Sequence, residues 1–290
     1  MKQNKYSRII AGCMSWGNWG KQFSTSEMEK QIYLTLEAGI TTFDHADIYG
    51  DYSTEIEFGK AFIQSRVLRE EIQLISKCGI EYVGNTRKNN IKHYNYNKEY
   101  IIWSVEESLK KLQTDYLDLL LLHRPSPLMH PDEINEAILV LKNQGKILDF
   151  GVSNFTQSQI HLISNKTPVN VNQIEFSLTE HSALHNGVLD QMLLDNSIPM
   201  SWSPLGNIFK ENTEQTKRIQ KSLQKLTRKY NCTDNQILLA WILKHPAKIH
   251  PVIGTTNKER IINASQAIKI ELELEDWFEL LVASQGHKVP

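Results

Sequence analysis

Residues 41–51, TTFDHADIYGD, set a carboxylate, Asp44, at the end of a short apolar segment and a phenol, Tyr49, in a turn closed by Gly50. A phenol ionises near pH ~10, so a tyrosine that is to donate a proton near neutrality needs a cation beside it. Lys77, inside the apolar run IQLISKCGI, supplies one. A buried ammonium without a partner is very costly, and a carboxylate such as Asp44 would keep it charged and in place. A fourth polar group, His123, ends the most apolar run of the chain, YLDLLLLH. Singly, each has an ordinary reading: a capping carboxylate, a turn tyrosine, a strand lysine, a histidine closing a sheet. Together they lie at or just after the ends of three strand-like segments, where a parallel barrel keeps its active site.

The elements that must position them alternate. Arg8–Ser15 reads as strand one and Glu27–Ala38 as a helix capped by Ser24 or Ser26 and stopped at Gly39. Strand two is the stretch around Asp44; Ser53 or Thr54 then caps a helix through Phe62, and Ile72–Cys78 is strand three. Residues 79–98, rich in Asn, Tyr and Lys with no apolar period, read as a long loop, either lining a pocket or a solvated excursion. Glu99–Leu112 is a helix, Tyr116–His123 strand four, and Asp132–Asn143 a helix with Asp132 as N-cap. Strand five, KILDFGVSN, ends in Ser153 and Asn154; strand six, Val169–Phe176, contains Gln173, with a helix through Ile163 between them. Leu184–Asp195 is a helix, IPMSWSPLG holds strand seven, Thr213–Tyr230 and Asp234–Lys244 are two amphipathic helices, and IHPVIGTTN holds strand eight. Glu275–Ser284 is a terminal helix outside the repeat.

Strands alternating with helices imply parallel pairing and right-handed crossovers, and about eight such units make a (β/α)8 TIM barrel with an extra C-terminal helix. A doubly wound sheet is the alternative, but no GxGxxG follows strand one. No linker or low-complexity tract divides the chain, so residues 1–290 read as one domain.

Lys plus Arg number 32 and Asp plus Glu 33, a net charge of -1 that offers nothing to nucleic acid or an anionic membrane. A small-molecule partner is expected. Cys13, Cys78 and Cys232 form no CxxC pair and leave one thiol over from any bridge, which fits a reducing cytoplasm. The N-terminal stretch is too poor in apolar residues for a signal peptide, and no run reaches the ~20 that a membrane helix requires. His45, His93, His130 and His181 form no HExxH-like pattern, so no metal site is expected. Cys78 alternates away from Lys77 along its strand and reads as inert packing.

The set Asp44, Tyr49, Lys77 and His123, with SN, Q, SWSPLG and IGTTNKER at successive later strand ends, resembles the tetrad and cofactor segments of the aldo-keto reductases across nearly the whole chain. FDHADIYG, HRPSPL and the closing GHKVP look most like a bacterial oxidoreductase subgroup whose members often lack a defined substrate. The resemblance implies an NADPH-dependent reductase of aldehydes or ketones, with Tyr49 as proton donor and His123 orienting or polarising the carbonyl. It puts Ser153, Asn154 and Gln173 against the nicotinamide carboxamide and Trp202 against its ring. Ser203, Leu205 and Gly206 fall to the pyrophosphate, and Gly254, Thr255, Thr256, Asn257 and Arg260 to the adenosine 2′-phosphate. Cys13 and Met14 would touch the nicotinamide ribose, and Trp16 would wall the substrate pocket. Two positions depart from the family pattern. Gly254 stands where many relatives carry a lysine, and Ala264 where they use an asparagine, which narrows the margin of NADPH over NADH. The family default is a monomer. Two other functions are compatible with parts of the pattern: a cofactor-binding regulatory protein with little turnover, like the potassium-channel beta subunits, and metal-assisted hydrolysis on the same barrel.

Overall fold

A computed structural model describes residues 5–290; Met1–Asn4, where the N-terminal stretch weighed above for a leader begins, lie outside it. Eight strands, β1 (Ile10–Gly12), β2 (Thr42–Asp44), β3 (Gln73–Cys78), β4 (Leu119–Leu122), β5 (Phe150–Ser153), β6 (Val171–Glu175), β7 (Ile198–Trp202) and β8 (His250–Ile253), form a closed barrel in chain order. The registered pairs are parallel, from β1–β2 through β5–β6 and again for β7–β8. The TIM-barrel expectation is therefore met, with strands shorter than the apolar runs suggested. The chain divides into two compact units, one ending at Gln173 and the other beginning at Ile174.

In the first unit the strands are almost wholly buried, and β4 is four leucines with no exposure to speak of. Strands buried on both faces read as continuous apolar runs rather than alternating ones, because helices cover the outer side. Those helices are α1 (Thr25–Glu37), α2 (Thr54–Ser65), α3 (Lys98–Leu112), α4 (Pro131–Asn143) and α5 (Gln157–Ser164), and from α1 to α5 each packs on the next. Ser24 caps α1 in a full capping box with Glu27. The cap of α4 is His130, two residues earlier than the sequence suggested: Pro131 occupies the first turn and His130 Nδ1 accepts the Asp132 N–H at 3.3 Å. Proline suits that place because its missing N–H would have had no partner there.

Residues 79–98 are not a featureless loop. Ile80–Glu81 and His93–Tyr94 pair as a short antiparallel hairpin. Two-residue strands are marginal alone. Arg87 anchors this one, stacking 3.8 Å from the Tyr52 ring centroid and bonding Tyr100 OH at 2.8 Å and Glu81 at 3.3 Å.

The second unit carries α6 (Val188–Leu194), α7 (Glu214–Tyr230), α8 (Asp234–Leu243), α9 (Lys258–Gln266) and α10 (Leu274–Gln285). The expected Leu184–Asp195 helix is split into a 3-10 turn at Ser182–Leu184 and the shorter α6. α7 is amphipathic as expected, burying Ile219, Leu223 and Leu226. α8 is not: every residue from Gln236 to Ile242 is buried, which makes it a core helix. Its Trp241 lies between Phe176 and Trp277, with ring centroids 5.4 and 5.0 Å away, and the two indoles exchange N–H bonds to each other's carbonyls. The terminal helix α10 thus shares the core, and Lys225 and Lys229 of α7 pair with Glu279 and Asp276 on it.

Candidate active site

In the first unit Asp44 is the last residue of β2 and Lys77 the penultimate residue of β3, and the register pairs Asp44 with Ile75. That offset aims both side chains at one point. Lys77 Nζ reaches Asp44 Oδ2 at 2.8 Å, the carbonyl of His45 at 2.7 Å and Tyr49 OH at 3.1 Å, filling its three donor positions. At 1% exposure this lysine is among the largest fully buried side chains. Its burial alone would drain the charge, but Asp44 and then Tyr49 outweigh it, so its pKa is raised and it stays an ammonium. Gln173, at the end of its part of β6, donates to Asp44 Oδ1 at 2.9 Å. The two carboxylate oxygens are thus held from opposite sides, by Lys77 and by Gln173.

Tyr49 is buried and its pKa lies above the ordinary phenol value, because burial outweighs the pull of Lys77. The lysine limits the rise without reversing it. The phenol is therefore protonated at neutral pH, the form a proton donor must have. His123, one residue past β4, stands edge-on to Tyr49 with ring centroids 6.1 Å apart. Burial, then Lys77, Arg124 and Lys92, push its pKa far down. It is a neutral imidazole, and its Nδ1 is buried without a protein partner. The four groups expected at three strand ends thus lie together, with Lys77 charged and Tyr49 and His123 neutral.

Tyr49 opens the helical turn Tyr49–Tyr52, which is broken by left-handed residues: Gly50 at φ 62°, Asp51 at φ 56° and Tyr52 at φ 69°. For the two that carry a side chain this conformation costs about 1–3 kcal/mol each and persists only where surroundings fix it.

Trp16 is corrected. It is 1% exposed and packs among Phe23, Phe43 and Phe58, with centroids 6.4, 6.0 and 6.1 Å away, so it belongs to the core and not to a pocket wall. The ring that faces the site is Trp19, 39% exposed, 6.2 Å from Tyr49 and 5.3 Å from Tyr82. Its signal in the sequence, a second tryptophan three residues on in the same Gly-rich exit, was present but carried no direction. Cys13 is likewise buried, whereas Met14 is 52% exposed. Cys78 is buried, in keeping with the packing role expected of it, and burial pushes its thiol up, away from reactivity. Ser153 Oγ donates to the Gln173 carbonyl at 2.9 Å and accepts from Asn154 Nδ2 at 2.8 Å, with Asn154 left-handed at φ 61°.

In the second unit Trp202 ends β7, half-buried, followed by left-handed Ser203 (φ 52°) and Gly206 (φ 54°). Leu205 packs on the core cluster while staying partly exposed. After β8, Gly254, Thr255 and Thr256 lead into α9, whose N-cap is Asn257, accepting the Arg260 N–H at 3.0 Å. Arg260 is exposed in its first turn. Free N–H groups of a helix start, hydroxyls and a guanidinium are a donor set that fits phosphate oxygens.

The sequence matches the Aldo/keto reductase family over residues 8–281. It is 39% identical to the "Uncharacterized oxidoreductase YcsN" of Bacillus subtilis, over 99% of this chain and 97% of that one. It is 36% identical to a 6-dehydroglucose reductase of Agrobacterium fabrum, over 98% and 96%. A crystal structure of an aldo/keto reductase from Klebsiella pneumoniae in complex with NADP and acetate has the same fold, at a TM-score of 0.78, 22% identity and coverage of 98% of this chain and 93% of that one. The chain belongs to the aldo/keto reductase family and is an NAD(P)H-dependent oxidoreductase. Among its described residues no helix is long and apolar enough to cross a membrane.

Proposed function

We propose that the chain reduces aldehydes or ketones to alcohols with NADPH. The observation that carries this reading is the buried ammonium of Lys77, bonded at once to Asp44 and to Tyr49 OH at 2.8 and 3.1 Å. NADPH supplies a hydride to the carbonyl carbon when bound. Tyr49 gives its proton to the carbonyl oxygen, and the phenolate left behind is neutralised by Lys77 until solvent returns a proton. The sum is carbonyl plus NADPH plus a proton giving alcohol plus NADP+. His123, neutral and beside Tyr49, donates a hydrogen bond to the same oxygen and fixes which face of the carbonyl is presented. Preorganised donors aimed at developing negative charge supply the larger part of such rate enhancements.

For the cofactor, Met14, Ser153, Asn154, Gln173 and Trp202 are assigned to the nicotinamide end. Ser203, Leu205 and Gly206 are assigned to the pyrophosphate, and Gly254, Thr255, Thr256, Asn257 and Arg260 to the 2′-phosphate. Gln173 keeps its carbonyl oxygen for the carboxamide while its amide nitrogen serves Asp44. The choice of NADPH over NADH rests on Arg260, supported by the NADP-bound relative.

The test has two parts. Tryptophan fluorescence is titrated with NADPH and with NADH; tighter NADPH binding that weakens about tenfold or more in Arg260→Ala supports the cofactor choice. Tyr49→Phe should bind NADPH as the wild type does and lose about 10²–10⁴-fold in turnover of small aldehydes, the usual share of a positioned proton donor. A Tyr49→Phe enzyme at wild-type rate would sink the mechanism.

A further inference from the structure

We infer that Asp51 is a positioning residue for Tyr49, and that the hairpin built by residues 79–98 holds the catalytic turn through it; the inference rests on the reductase reading above. Tyr49 is followed by three consecutive left-handed residues, two of them not glycine. Backbone of this kind needs an external hold. The hold is the hairpin. Asp51 Oδ2 accepts the N–H groups of Asn85 at 2.7 Å and Thr86 at 3.2 Å, and Thr86 Oγ1 donates to the Asp51 carbonyl at 2.8 Å. Gly84 allows this approach, since a Cβ there would fall on the Asp51 carboxylate. One residue on, Tyr52 OH accepts the Tyr82 N–H at 2.9 Å while Arg87 covers the Tyr52 ring. From the other side Asn18 Nδ2 bonds Ser53 Oγ at 3.0 Å.

The backbone leaving Tyr49 is therefore tied to the hairpin tip at two successive residues. Upstream, Asp47 N–H bonds the Lys77 carbonyl at 3.0 Å, which ties the entry to β3. The Tyr49 hydroxyl meets Lys77 Nζ at 3.1 Å only if both ends of the turn are set. Asp51 bonds the hairpin and acts on Tyr49 through the main chain. A turn fixed at one end lets the phenol drift from the ammonium, which weakens proton donation and raises the phenol pKa further.

Three variants separate this role from general stability. Asp51→Gly suits the left-handed backbone better than aspartate but deletes the carboxylate. Asp51→Asn keeps a carbonyl oxygen able to accept the same two N–H groups and tolerates the same φ. Gly84→Ala keeps the aspartate but sets a Cβ against its carboxylate, so that carboxylate and hairpin tip must part. With glyceraldehyde as probe, Asp51→Gly and Gly84→Ala should each lower kcat about tenfold or more, as expected for a displaced catalytic group. Their NADPH affinity by fluorescence should stay within about twofold of wild type, and the basic limb of the kcat–pH profile should move up. Asp51→Asn should retain most of the activity. Asp51→Gly and Gly84→Ala enzymes with wild-type kcat and an unmoved basic limb would overturn the inference while leaving the reductase reading intact. Loss of NADPH binding in step with kcat would also overturn it, by making the role structural. A wild-type chain that binds NADPH but reduces no aldehyde removes the reductase reading, and this inference with it.

Discussion

At the scale of single residues, a buried ammonium and the phenol beside it set what pH can do to the protein. A lysine inside an apolar strand needs a carboxylate, so Lys77 and Asp44 could be paired before any fold was known, and they lie 2.8 Å apart. The direction of the Tyr49 shift was not legible, because it depends on how much burial opposes the cation. With the phenol raised, reduction should hold its rate through neutral pH and fall only as Tyr49 loses its proton, above about pH 10, while the neutral His123 adds no acidic limb in that range. A kcat profile falling near pH 7 would contradict this. Trp16 and Trp19 illustrate what stays hidden: side-chain direction in a loop exit is set by packing, which spacing does not encode. Trp16→Ala should therefore destabilise the fold by about 3–5 kcal/mol in urea unfolding, as large core truncations do. Trp19→Ala should leave stability within about 0.5 kcal/mol and raise KM for aldehydes with the NADPH affinity unchanged.

At the scale of elements, apolar period and caps located most helices to within a residue or two, as Ser24 and Glu27 did for α1. The hairpin of residues 79–98 escaped, since its hold comes from Arg87 on Tyr52 and Tyr100 and from Asp51, all tertiary contacts. A second tertiary feature lies where β2 gives way to the Tyr49–Tyr52 turn. Asp47 is buried with its Oδ2 bonded to Ser104 of α3 at 3.0 Å, near Glu55 of α2. Burial first, then Glu55, raises it to about 7, against smaller opposing pulls from Arg87, Ser104 and Lys111. The folded protein therefore holds a proton on Asp47 that the unfolded chain, with an ordinary carboxylate near pH ~4, has already released. Stability from this group is fully present below about pH 4 and is lost as the pH rises towards 7. Asp47→Asn removes the titration while keeping the side-chain shape. Its melting temperature should exceed that of the wild type at pH 8, and the gap should narrow markedly as the pH falls to 5 and close below about pH 4. An equal gap at pH 8 and pH 5 would show that Asp47 is not held protonated.

At the scale of the whole molecule, the alternation of strands and helices announced the barrel, and its strand order and closure accord with the rules on parallel connections rather than with any one residue. What the alternation does not announce is where cooperativity ends. The two compact units meet in sequence between Gln173 and Ile174, inside β6. A boundary between independent domains falls in an exposed linker where few contacts cross. Here it cuts a five-residue strand whose first part is registered on β5, with Gly151 paired to Val171 and Ser153 to Gln173. Gln173 itself bonds one oxygen of the Asp44 carboxylate, so freeing the end of β6 would disturb the Asp44–Lys77 pair as well as the pairing with β5. A single cooperative transition is the expectation. Hydrogen exchange through a urea series, read peptide by peptide, should give coincident midpoints for peptides covering β3, β4 and α3 and for those covering α7, α8 and α10. Saturating NADPH should shift both sets together, by about 2.7 kcal/mol at a hundredfold excess over Kd. Two separated midpoints, only one of them moved by NADPH, would show two domains and place the limit of the folding unit inside the barrel's sixth strand.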